Sequence, residues 1–73
     1  MHPIDLILEE FHITRYAFQK KYGFSKNRFS NLIERNAIVD NLQVDIIHAM
    51  SQCFKISMDE VYNKLKAYES SKQ

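Results

Sequence analysis

The chain has 73 residues, ten Lys plus Arg against nine Asp plus Glu, a formal net charge of +1, one Gly, one Pro and one Cys. That length holds one domain, burying only about 60% of the surface its unfolded form exposes, and a lone Cys53 excludes a disulfide within the chain and fits a reducing compartment. No stretch approaches the ~20 apolar residues of a membrane span, and the start lacks the basic and apolar regions of a secretory leader, so a soluble cytoplasmic protein is expected.

The scarcity of Gly and Pro argues for helices, because hairpin-rich folds use turn residues repeatedly. The first helix is expected from about Pro3 to Phe11. Proline suits a first helical position, where its missing N–H costs nothing, and Ile4, Ile7, Leu8 and Phe11 share one face. The second runs from about Arg15 to Tyr22. Thr14 is its N-cap, Ile13 and Phe18 form a hydrophobic staple across that cap, and Gly23 ends it in the left-handed conformation.

The third helix begins almost at once. Ser25 is its N-cap, Phe24 and Phe29 staple it, and Phe29, Leu32 and Ile33 are its apolar positions, with an end near Arg35 or Asn36. A loop covers about 36–41. A fourth helix spans roughly Leu42 to Phe54, its cap open between Asp40 and Asn41, with Val44, Ile47, Met50 and Phe54 at helical spacing. The fifth covers about Met58 to Tyr68. Ser57 and Glu60 make a capping box, with Ile56 and Val61 as its staple. The domain is therefore 1–68, followed by a polar tail, 69–73.

Charge is unevenly distributed. Residues 1–11 contain Asp5, Glu9 and Glu10 and no Lys or Arg. Residues 12–36 contain Arg15, Lys20, Lys21, Lys26, Arg28 and Arg35 against Glu34 alone. A basic segment suits an anionic partner, although a solvated helix face is the plainer reading of charge taken by itself. With the second and third helices linked so tightly, the outer side of the third carries Lys26, Asn27, Ser30 and Asn31, with Arg28 beside them. Asn pairs bidentately with adenine and Lys favours guanine. Ser25 and the free N–H groups at the helix start suit a phosphate, as does Arg15. Tyr16 either packs or offers its hydroxyl to a phosphate.

The run from Thr14 to Ile33, TRYAFQKKYGFSKNRFSNLI, resembles the helix-turn-helix of Cro and repressor-type (XRE-like) regulators. NLQVDII at 41–47 and ISMDEV at 56–61 resemble the entries to that family's fourth and fifth helices, so the resemblance covers about residues 4–66. It implies an all-α, compact five-helix bundle of the lambda-repressor-like type and sequence-specific binding of double-stranded DNA in transcription control, often in mobile elements. Under it Lys26, Asn27 and Asn31 match base-contacting positions. Arg15, Ser25 and Arg28 match positions near backbone, and Arg35 and Asn36 fall in the loop that often touches phosphate. Three departures stand out, one being that the aromatics Tyr22, Phe24 and Phe29 are bulkier than the usual aliphatics. Gln19 occupies a position that usually holds Ala, implying a splayed helix pair or a side chain that escapes sideways. Lys55 stands where Gly or Asn is usual.

Other chemistry finds little support. His48 and Cys53 lie about 140° apart around a helix, no Ser–His–acid or Cys–His pair shares a turn, and His2 and His12 lack metal-ligand spacing. The expectation is a repressor-like regulator without enzymatic activity, cofactor, metal or small-molecule substrate. A protein-interaction module of the same fold, such as an antitoxin, antirepressor or accessory factor, is the alternative. A homodimer on DNA is expected, because a single unit contacts few base pairs. Met58, Val61, Tyr62, Leu65 and Tyr68 form its candidate interface, unless that stripe packs inward on the first and fourth helices.

Overall fold

In the computed structural model, which describes residues 2–71, the chain folds as α1 (Pro3–Glu10), α2 (Arg15–Tyr22), α3 (Lys26–Glu34), a 3-10 turn (Val39–Asn41), α4 (Val44–Phe54) and α5 (Met58–Ser71), with no strand among the described residues. The caps explain most of the boundaries. Thr14 Oγ1 accepts from the Ala17 N–H at 3.1 Å and Ser25 Oγ from the Arg28 N–H at 3.2 Å. Ser57 Oγ accepts from the Glu60 N–H at 3.1 Å. Each satisfies a donor that the first turn of a helix leaves without an intrahelical partner. Gly23 closes α2 at φ 73°, and its N–H bonds to the Gln19 carbonyl, the left-handed ending expected of it. Lys55 closes α4 in the same way at φ 59°, and His12 and Asn36 also have positive φ.

Several boundaries differ from expectation. Neither Asp40 nor Asn41 caps α4. Both lie in the 3-10 turn, and Asp40 accepts from the Tyr62 hydroxyl at 2.6 Å. The helix therefore starts two residues beyond Leu42, with Gln43 in the cap position making no side-chain cap bond. Its inward face is Ile46, Ala49, Met50 and Phe54, whereas Val44 is 69% exposed. Leu42, buried just before the helix, takes the anchoring place that the periodicity assigned to Val44. The fifth helix continues through Glu69 to Ser71. Glu69 is drawn back onto the fold, where its carboxylate accepts from the Val39 N–H at 2.8 Å.

Two groups of side chains hold the helices together. Ile4, Ile7, Val61 and Leu65 are wholly buried where α5 packs against α1 and α4. Phe18 is the hub of an aromatic group, with ring centroids 5.9 Å from Phe24, 5.8 Å from Phe29 and 6.4 Å from Phe54. Phe24 meets Phe29 at 5.5 Å, so the two ends of the expected staple are in contact, and Phe11 stacks on Phe54 at 4.1 Å. Such ring pairs add about 0.5–1.5 kcal/mol each beyond the area they bury. The fold measures 30 × 26 × 21 Å, and among the described residues no helix is long and apolar enough to cross a membrane.

The stripe on α5 is internal at its centre, with Met58 half-buried at its start. Val61 and Leu65 are fully buried, and Tyr68 is half-buried with its hydroxyl on the Glu10 carboxylate. Tyr62, 37% exposed and bonded to Asp40, is its most accessible large apolar side chain.

Candidate nucleic-acid interface

Three residues, Gly23 to Ser25, link α2 to α3. The left-handed Gly23 turns the chain, Phe24 is anchored against Phe18 and Phe29, and Ser25 restarts the helix. Burial of Phe29 and Leu32 fixes the inner side of α3. Its outer side then carries Lys26, Asn27 and Asn31, all exposed, with Ser30 half-buried beside them. Arg35 caps the C-terminal end of α3, and Asn36 follows at φ 53°, a conformation Asn tolerates better than most residues. Arg35 and Asn36 are both exposed. The residues singled out from the sequence therefore occupy one helix, its two ends and the start of α2.

Two clefts flank α3. One, of about 540 Å³, is lined by Thr14, Arg15, Tyr16, Gln19, Lys26 and Ser30 and joins the start of α2 to the first half of α3. The other, of about 320 Å³, lies toward α4 and includes Arg28, Asn31, Arg35, Asn41 and Gln43.

Electrostatics separates the basic residues into two sets. Lys26 and Arg35 form no ion pair with a described residue and point into solvent. Arg15 is paired with Asp5 at 3.2 Å. Arg28 is held more firmly: Nη1 donates to Asp45 Oδ2 at 2.8 Å and Nη2 to Oδ1 at 2.6 Å, Nη2 also donates to Gln43 Oε1, and the guanidinium carbon lies 5.1 Å from the centre of the Phe24 ring. Hydrogen bonding from Arg28 keeps the Asp45 carboxyl below its ordinary range, and the same contact holds the Arg28 guanidinium up. Lys20 and Lys21 lie over the rings of Tyr16 and Tyr22. Tyr16 itself is 71% exposed, so its hydroxyl, rather than a packed ring, is what this site offers.

Gln19 departs from one of the two expectations attached to it. It is 6% exposed, and its Nε2 is buried without a hydrogen-bond partner. The amide does not escape sideways into solvent. Asp45 and Gln43, which control Arg28, were not singled out in the sequence, because they are 17 and 15 positions away from it and no local pattern links them.

Outside this surface, no cluster of three His, Cys, Asp or Glu side chains among the described residues has the arrangement of a metal site. His48 is exposed and Cys53 half-buried beside Tyr22, whose hydroxyl is pushed up by burial first and by Cys53 second.

Comparison with protein-family models, with curated proteins and with solved structures found no match. The protein is an all-helical domain that presents a polar, partly basic face on α3.

Proposed function

We propose that this chain is a sequence-specific double-stranded DNA-binding regulator of repressor type, in which α2, the Gly23 turn and α3 act as a helix-turn-helix. The observation that carries this reading is the exposed row Lys26, Asn27 and Asn31 on a helix whose opposite side is anchored by buried Phe29 and Leu32. A helix about 10–12 Å across with its side chains fits a major groove about 12 Å wide. Lys26, Asn27 and Asn31 then read base edges, while Arg15, Ser25, Arg35 and Asn36 lie where backbone phosphates run. Regulation follows from occupancy: DNA covered by this protein is closed to polymerase or to another factor. Two copies on a palindromic site, with recognition helices about 34 Å apart, supply the specificity one copy lacks. Since Val61 and Leu65 are internal to the fold, an α5 contribution to pairing falls to the less buried part of the stripe, Met58, Tyr62 and Tyr68.

Selection of bound sequences from random duplex DNA, followed by shift assays over a range of salt, tests the reading. Lys26→Ala is expected to weaken binding, and Arg35→Ala, which removes a phosphate contact, to weaken it for all sequences and lower the salt slope by about 1. Asn31→Ala is expected to relax preference at one position, with about 1–3 kcal/mol of discrimination lost there. Sedimentation of the complex gives its stoichiometry. A parent protein that selects no sequence, together with a tight DNA-independent complex with another protein, supports the alternative of an interaction module. The exposed apolar side chains Tyr16, Ile38 and Val44 favour that alternative.

A further inference from the structure

Arg28 is the one arginine within α3, immediately after Asn27 and three residues before Asn31. At that place an arginine is the natural grip on a phosphate, because its fork of N–H donors matches phosphate oxygens. Yet the fork is occupied. Both carboxylate oxygens of Asp45 accept from it at 2.8 and 2.6 Å, Gln43 Oε1 accepts as well, and the Phe24 ring lies against its face. The Arg28 side chain is 27% exposed and that of Asp45 is 54% exposed, so the anion is the more accessible partner of the pair.

We infer that Asp45 is a specificity-determining positioning residue: it withholds Arg28 from DNA phosphates and braces α3 against the start of α4. This rests on the DNA-binding reading proposed above. The first effect is electrostatic. Binding that ignores sequence consists almost wholly of phosphate contacts, each contributing about 0.9 to the slope of log affinity against log salt. A paired Arg28 makes no such contact until Asp45 is displaced, and the carboxylate left behind repels the same phosphate. The second effect is geometric. A bidentate fork fixes both distance and orientation, and this one joins α3, next to Asn27 and Asn31, to the first turn of α4. Releasing Arg28 therefore gains a charge contact common to every sequence and loosens the aim of the side chains that distinguish sequences.

The test compares the parent, Asp45→Asn, Asp45→Glu and the double variant Asp45→Asn/Arg28→Gln, on a selected duplex and on a random duplex across salt concentrations. Melting curves establish that each is folded. Asp45→Asn is expected to bind the random duplex more tightly at low salt, with a slope steeper by about 0.9. Its preference for the selected site is expected to fall fivefold or more, the weight of one base contact. The double variant is expected to return to the parental slope, and Asp45→Glu to stay near it. If Asp45→Asn is unstable, Asp45→Ser provides the same readout. A slope unchanged in Asp45→Asn, or equally steep in the double variant, overturns the inference, because Asp45 then acts without Arg28. A parent that binds no duplex overturns the DNA reading and this inference with it. A parent that binds with an unchanged Asp45→Asn slope overturns this inference alone.

Discussion

His2 Nε2 donates to the Ala37 carbonyl at 2.8 Å, across 35 positions of the chain, while its Nδ1 accepts from the Ile4 N–H at 3.1 Å. A carbonyl only accepts and an amide N–H only donates, so the ring is the Nε2–H tautomer. One side chain thereby caps α1 and ties it to the segment after α3, at 4% exposure. His2→Ala is expected to lower stability by about 1–2 kcal/mol, because it strips partners from two backbone groups. His2→Asn restores the cap without reaching Ala37, and its melting temperature is expected between the two. Thermal unfolding checks the order; equal melting of His2→Ala and the parent removes the tie.

The left-handed positions make opposite forecasts. Gly23 lies at φ 73° with no atom within 4 Å of where a Cβ would stand. Gly23→Ala is therefore expected to cost only the backbone term, about 1–2 kcal/mol, and Gly23→Val more, since a β-branched residue fits positive φ poorly. Lys55 occupies the same conformation at φ 59°. Lys55→Gly is expected to raise stability by about 0.5–1 kcal/mol, the relief of strain offset by glycine's larger freedom in the unfolded chain. Denaturant titration of the three variants decides. A less stable Lys55→Gly shows that the lysine stem contributes more packing than its backbone costs.

Gln19 offers a stabilising substitution inside the candidate interface. Its Nε2 is buried and unpaired, and replacing an unsatisfied donor with an apolar group of similar shape is neutral or favourable. Gln19→Met is expected to gain about 1 kcal/mol. A lower melting temperature for Gln19→Met counts against that account.

The Tyr68–Glu10–Lys64 group predicts a stability plateau with two edges. Glu10 accepts from Lys64 at 2.7 Å and from the Tyr68 hydroxyl. Its carboxyl is lowered from 4.5, first by Lys64 and then by Tyr68. A depressed carboxyl stabilises the fold above its ordinary value, and that contribution is lost as pH falls through the folded value. Tyr68 is pushed up from 10.0 to about 12, first by its bond to Glu10 and then by burial. Its contribution is complete below pH 10 and lost as pH rises through about 12. Tyr68→Phe is expected to flatten the alkaline edge and weaken the acid one, measured by melts across pH. The same alkaline loss in Tyr68→Phe and the parent refutes this assignment.

Much of this organisation is written locally in the chain. Thr14, Ser25 and Ser57 mark helix starts because a cap acts within three residues, and Gly23 marks a turn because its own backbone demands it. Phe18, Phe29, Val61 and Leu65 show their burial through spacing along a helix. The composition of the α3 face, Lys26, Asn27 and Asn31, follows once Phe29 and Leu32 are assigned inward. What tertiary structure alone decided is which distant groups meet. His2 reaches Ala37, Asp45 takes Arg28, Asp40 is drawn to Tyr62 rather than capping α4, and Gln19 is sealed without a partner. The α5 stripe, open in the sequence to an inward or an outward role, has its centre turned onto α1 and α4 by the packing of three helices. A cap or a period is an interaction between near neighbours, so sequence order carries it. A pair separated by 15 to 58 positions depends on how whole helices are placed, and that placement is the sum of the entire core.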